Sequence, residues 1–105
     1  MGLEELKKRL RSYGKDKIRL SDHAFYQGFY RRVDEELVIA HLKNPDSLID
    51  SRKEKALYPG EEKYTLFFRM EENRTLIVVA ALGRYLRVVT IIVRYRKHRF
   101  KGWGN

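Results

Sequence analysis

The chain contains no cysteine, and only two prolines in 105 residues. Without cysteine there is no disulfide framework, no thiolate metal site and no cysteine nucleophile, which fits a reducing compartment. Long apolar runs are missing too. The longest, Leu76–Leu82, is seven residues, far short of the roughly 20 needed to span a bilayer. Met1–Gly14 (MGLEELKKRLRSYG) lacks the apolar stretch of a signal peptide. Gly2 is not followed by the Ser or Thr of a myristoylation signal. These absences predict a cytoplasmic protein with no membrane partner. His23, His41 and His98 are widely spaced, with no HExxH and no carboxylate at helical spacing, so no metal is expected. Gly83, Gly102 and Gly104 lack the spacing of a phosphate-cradling loop, so no cofactor is expected either. No Ser–His–Asp order can be assembled.

One further absence is local. Residues 73–105 hold no Asp or Glu, yet carry Arg74, Arg84, Arg87, Arg94, Arg96, Lys97, Arg99 and Lys101. The formal charge of +9 is therefore a basic segment joined to a nearly neutral body. Such asymmetry produces a directional field suited to a polyanion. Tyr85, Tyr95, Phe100 and Trp103 are interleaved with these cations. Rings among cations suit single-stranded nucleic acid, where bases stack and cations hold phosphates. An acidic protein partner and a merely solubilising tail are the competing readings. The abundance of charge of both signs and the absence of cysteine are also compatible with a thermophilic source.

The composition, 43% hydrophobic and 35% charged, suits one folded domain. Leu3, Leu6, Leu10 and Tyr13 mark one face of a helix over about residues 3–13, with Gly14 as its stop. Ile18–Leu20 is short and extended. Ser21 or Asp22 caps a second helix through Phe29, weakened by Gly28. Asp34 caps a third, Glu35–Lys43, stopped by Asn44-Pro45. Thereafter the period changes to two. Leu48–Ser51 reads as a short strand and Tyr58–Glu61 as a turn. Lys63–Met70, Thr75–Leu82 and Tyr85–Tyr95 read as an antiparallel meander, with Glu71–Arg74 and Gly83-Arg84 as turns. The expected fold is α+β: N-terminal helices packed on one face of a three- to four-stranded antiparallel sheet. The domain is expected over 1–95, with a basic aromatic arm over 96–105. Apolar residues on both faces of the last two strands predict a second cover, a homodimer mate being the simplest.

Several landmarks lie in a row: Ser21-Asp22-His23-Ala24, Arg31, Val33–Val38, Asn44-Pro45, Leu76–Val79 and Val88-Val89-Thr90. Together they resemble a small domain family with an "HA-x-x-R" helix start and a "viT" last strand. That family is similar to BrnT toxins within the RelE/ParE-like superfamily. The resemblance spans about residues 18–95 and implies a RelE-like sheet, RNA as a partner more than DNA, and an acidic antitoxin-like protein. It also implies a toxin-type, metal-independent endoribonuclease. Gln27 stands where the family tends to have Arg, which bears on any activity carried over.

Metal-independent RNA cleavage needs a base for the 2′-OH, an acid for the 5′-oxygen and cations for the phosphorane. Arg69, Arg87, Arg94, Tyr95 and His98 supply the types. His98 lies among cations that favour a neutral imidazole, making it the acid/base candidate. Arg87 and Tyr95 share one face of an unbroken strand, with Arg94 on the other. The catalytic candidates are thus His98, Tyr95 and Arg87. Arg84, Arg94, Arg96, Lys97, Arg99, Lys101, Phe100 and Trp103 are the nucleic-acid-binding candidates. His23 and His41 are expected to have structural roles, and Tyr64, Phe67 and Phe68 to be core. Beside the cleaving reading stand a non-catalytic nucleic-acid-binding module and a protein-interaction domain docking an acidic partner.

Overall fold

The computed structural model describes residues 2–71 and 73–95. The first helix, α1 (Leu3–Arg11), buries Leu6 and Leu10. Its C-cap is Ser12, and Gly14 has an ordinary φ of −73°. The helix therefore ends before Gly14 and needs no left-handed cap, a correction to the expected stop. A short strand β1 (Ile18–Leu20) follows, then α2 (Asp22–Tyr30) and α3 (Glu35–Lys43). Ser21 is the cap of α2, its Oγ accepting from Ala24 N–H at 3.0 Å. Asp34 caps α3, its Oδ1 accepting from Leu37 N–H at 2.8 Å. Both ends follow from the preference for a side-chain acceptor over the orphan N–H groups of a first turn.

The strands are β2 (Leu48–Glu54), β3 (Glu62–Arg69), β4 (Arg74–Leu82) and β5 (Leu86–Tyr95). β3, β4 and β5 form the antiparallel meander that the alternation predicts. The sheet is larger than expected, five strands in the order β1-β5-β4-β3-β2, and mixed, because β1 pairs parallel with β5. Pro59 and Gly60, the latter at φ +83°, turn the chain into β3. The β4–β5 connection runs over Gly83–Tyr85, one residue longer than the expected two.

All three helices pack on one side. The core joins Leu6 and Leu10 of α1, Ala24 of α2, and Val38, Ile39 and Leu42 of α3 to Tyr64, Leu66, Phe68, Leu76, Val78, Ala80, Leu82, Leu86, Val88 and Ile91 of the sheet. The strand residues in this set alternate, as a half-covered sheet requires, except between Val88 and Ile91 of β5. Arg9 ties α1 to the rim through Glu62 and the Leu82 carbonyl, and Tyr13 donates to the Gly83 carbonyl. No described helix is long and apolar enough to cross a membrane.

Candidate nucleic-acid interface

β5 contains a bulge. Val88 pairs with Ala80 and Thr90 with Val79, leaving Val89 as an extra residue without a partner on β4. A bulge shifts the alternation by one. Leu86 and Val88 face the helices before it, and Ile91 and Val93 face them after it. The expected same-face placement of Arg87 and Tyr95 is therefore corrected. Tyr95 pairs with Arg74 on the helix side, whereas Arg87 and Arg94 share the opposite, open face. Tyr95, together with Glu71, holds the Arg74 guanidinium above its usual pKa.

The register fixes what the open face presents. One row across β3, β4 and β5 is Arg69–Thr75–Arg94. The next, starting from β2, is Asp50–Phe67–Ile77–Ile92, and then Arg52–Thr65–Val79–Thr90. The last row is Glu54–Lys63–Ala81–Arg87–Arg19, reaching β1. Two apolar and hydroxyl rows thus lie between two rows rich in cations. The cation rows are roughly 20 Å apart, at about 3.3 Å per strand residue. Phe67 is half-buried and Ile92 exposed, while Ile77 and Ala81 are buried among their neighbours on this face.

Among the described residues, no ion pair engages Arg19, Arg52, Lys63, Arg69 or Arg94. Arg52 lies over the Phe67 ring at 5.8 Å, and Arg19 over Tyr85 at 4.8 Å, contacts that steady a guanidinium without neutralising it. Arg87 differs. Its Nε and Nη2 donate to Glu61 at 3.3 and 3.0 Å, and it lies over Tyr58. The Glu61 hydrogen bond, opposed by partial burial, holds the Arg87 pKa above its usual value. Glu54 accepts from Thr65 Oγ1 at 2.7 Å and lines a shallow depression with Lys55, Lys63, Val79 and Thr90.

Of the candidate residues, Arg94 lies on the open face and Arg84 is exposed in the β4–β5 connection. His98, Arg96, Lys97, Arg99, Phe100, Lys101 and Trp103 lie outside the described residues. Arg87 and Tyr95 are on opposite faces and do not meet. His41 fills its structural role: Nδ1 is 2.9 Å from the Leu37 carbonyl and its ring meets Phe68 edge-on. His23 is exposed, against the expected structural role, because Ser21 supplies the cap instead. Tyr64 and Phe68 are core, but Phe67 is on the open face. Arg19 and Arg52, outside the C-terminal third, belong to this face. Arg19 alternates with Ile18 and Leu20, but no local pattern placed it beside β5 or Arg52 beside β3. No cluster of described residues could hold a metal ion. No family model, curated protein or solved structure matches the chain.

Proposed function

We propose that this domain binds single-stranded nucleic acid, RNA in the first place, across the open face of its sheet. The observation that carries the reading is the row pattern: Phe67, Ile77 and Ile92 and the threonines between Arg69 and Arg94 at one end and Lys63 and Arg19 at the other, with Arg87 paired to Glu61 and the acids Asp50 and Glu54 kept to the β2 margin. Bases stack on rings and aliphatic surface while the cations hold phosphates. The basic segment beyond Tyr95 extends the same chemistry in sequence. Binding without cleavage is favoured, because Arg87 is committed to Glu61 and Tyr95 faces the helices. A BrnT-like toxin role, which the sequence resemblance implies, would address RNA through this same surface.

The test is fluorescence anisotropy of a labelled oligouridine at rising KCl. Log affinity should fall linearly with log salt, with a slope near −0.7 per phosphate contacted. Replacing Lys63, Arg69 and Arg94 together by Ser should weaken binding at least tenfold and flatten that slope. Equal affinity of parent and variant at one ionic strength refutes the open-face footprint. Product mapping in EDTA, with and without ribosomes, decides between binding and cleavage. A His98→Ala protein reports on the acid/base candidate, whose loss should cost about 10²–10⁴-fold in rate if it acts.

A further inference from the structure

α2 is built inside out. Its buried positions are the small residues Ala24 and Gly28, and its large ones stand in solvent. Phe25, Tyr26, Phe29 and Tyr30 are 49, 60, 71 and 79% exposed. They form two ladders at i,i+4, Phe25–Phe29 and Tyr26–Tyr30. Edge-on contacts at 5.8 Å link Phe25 to Tyr26 and Phe29 to Tyr30. A hollow with an apolar floor of Leu20, Phe25, Gly28, Phe29 and Val33, and a charged rim of Arg32, Asp34 and Glu35, continues the patch toward the start of α3. The arrangement is held rigidly from behind, where the Gln27 amide oxygen accepts from Ile91 N–H at 2.9 Å.

We infer that this helix face is the homodimer contact, with a second copy of the chain packing its α2 antiparallel against the first. Three observations select that occupant. Residues 23–30 carry no Lys, Arg, Asp or Glu. Neither a polyanion nor an acidic segment finds a counter-charge there, and a copy meets no like-charge repulsion. Charge is confined to the margins, Asp22 in the first turn, Arg31 and Arg32 after the last, and Asp34 and Glu35 on the far rim of the hollow. A two-fold axis across an antiparallel helix pair sets each Asp22, on the ring side of its helix, toward the end of the second copy's helix where Arg32 stands beside Phe29, and opposes the helix dipoles. Rings of this kind bury about 150–250 Å² each. The exposed fractions thus offer roughly 500 Å² per copy, and the rim of the hollow extends this toward the ~800 Å² per partner of a standard interface. The face lies on the helix side, away from the open sheet face, so the inference stands independently of nucleic-acid binding.

Sedimentation velocity of the full chain from 1 to 200 µM is the experiment. The expected parent is a reversible dimer of twice 12.6 kDa. Tyr26→Glu with Phe29→Glu should remain monomeric throughout with an unchanged far-UV circular dichroism spectrum. Asp22→Arg and Arg32→Asp should each weaken the dimer at least threefold, and the two together should restore it. Should the double Glu variant unfold, Tyr30→Glu, at the most exposed ring, replaces it. A parent monomeric at 200 µM, or a folded Glu variant with the parental dissociation constant, overturns the interface. Failure of the charge reversal to restore affinity overturns the antiparallel arrangement.

Discussion

A single amide, Gln27, closes the edge of β5 where β1 has already ended. β1 reaches only Val88, and the Gln27 side chain takes the next outward N–H, that of Ile91. Gln27→Ala leaves that part-buried donor unpaired, so unfolding free energy in urea should fall by about 1–3 kcal/mol. Gln27→Glu keeps an acceptor and should retain most of the stability. Gln27→Arg, the residue that the resembled family tends to carry, has no acceptor and should behave like Ala or worse. The sequence displayed Gln27 only as a departure from a pattern, because its partner lies on a distant strand. The neighbouring turn holds a second residue-scale feature. Arg32 has φ +58°, while Val33 N–H bonds the Gly28 carbonyl and Arg32 N–H bonds that of Phe29. This is a Schellman turn with Arg at the left-handed position where Gly is usual. Arg32→Gly should therefore raise stability by about 1 kcal/mol in the same titration. Gly28 itself is fixed by close approach, since a Cβ there would lie 2.4 Å from the Val33 carbonyl oxygen.

At the level of elements, α1 is joined to the sheet rim by an ion pair whose pH dependence has a definite sign. The hydrogen bond from Arg9 holds the Glu62 carboxyl below its usual pKa. A carboxylate of lower pKa in the folded state stabilises above the unfolded value, and this contribution is lost as pH falls through the folded one. Glu62→Gln should consequently flatten part of the acid limb of a thermal-midpoint curve and lower the midpoint slightly at neutral pH. The effect is modest, because the two side chains are 31 and 40% exposed and water screens them. Elements differed in how plainly the chain displayed them. The α3 cap at Asp34 and the alternation of Tyr64, Leu66 and Phe68 were readable because their causes are local. The bulge at Val89 was not, since Val88-Val89-Thr90 offers no glycine to mark it, and it reversed the face assigned to Arg94 relative to Arg87. The outward rings of α2 were equally hidden. A helix carrying Phe25 and Phe29 reads as amphipathic toward its own core until the sheet behind it is known to admit only Ala24 and Gly28.

For the molecule as a whole, the open face sets Arg19, Arg52, Lys63, Arg69 and Arg94, with the Glu61-paired Arg87, against only Asp50 and Glu54 on one side of a chain of net charge +9. Crowded like charges oppose the folded state and attract a polyanion, and salt screens both. Stability and affinity should thus respond oppositely. Raising KCl from 20 to 200 mM should lift the thermal midpoint by about 2–6 °C, corresponding to under 1 kcal/mol in a domain of this size, while RNA affinity falls. Calorimetry and anisotropy on one preparation measure both, and a midpoint that drops with salt would contradict the self-repulsion. The sequence located the excess charge by counting but placed it in the C-terminal third alone. It could not display Arg19 and Arg52, because their membership depends on which strands lie beside which.

The order β1-β5-β4-β3-β2 also dictates when this chain can fold. The three helices and β1 emerge first, yet the strands they cover come last, and β1 has no neighbour until β5 exists. At roughly 5–20 residues per second of synthesis, the helical half waits several seconds for its sheet. Pairing strands as far apart in sequence as Ile18–Leu20 and Leu86–Val88 is slow in itself, so refolding should take milliseconds to seconds rather than microseconds. During that wait Leu6, Leu10 and Leu42 have only one another and no sheet to pack on, and the nascent chain is at its stickiest just before Leu86–Tyr95 closes the sheet.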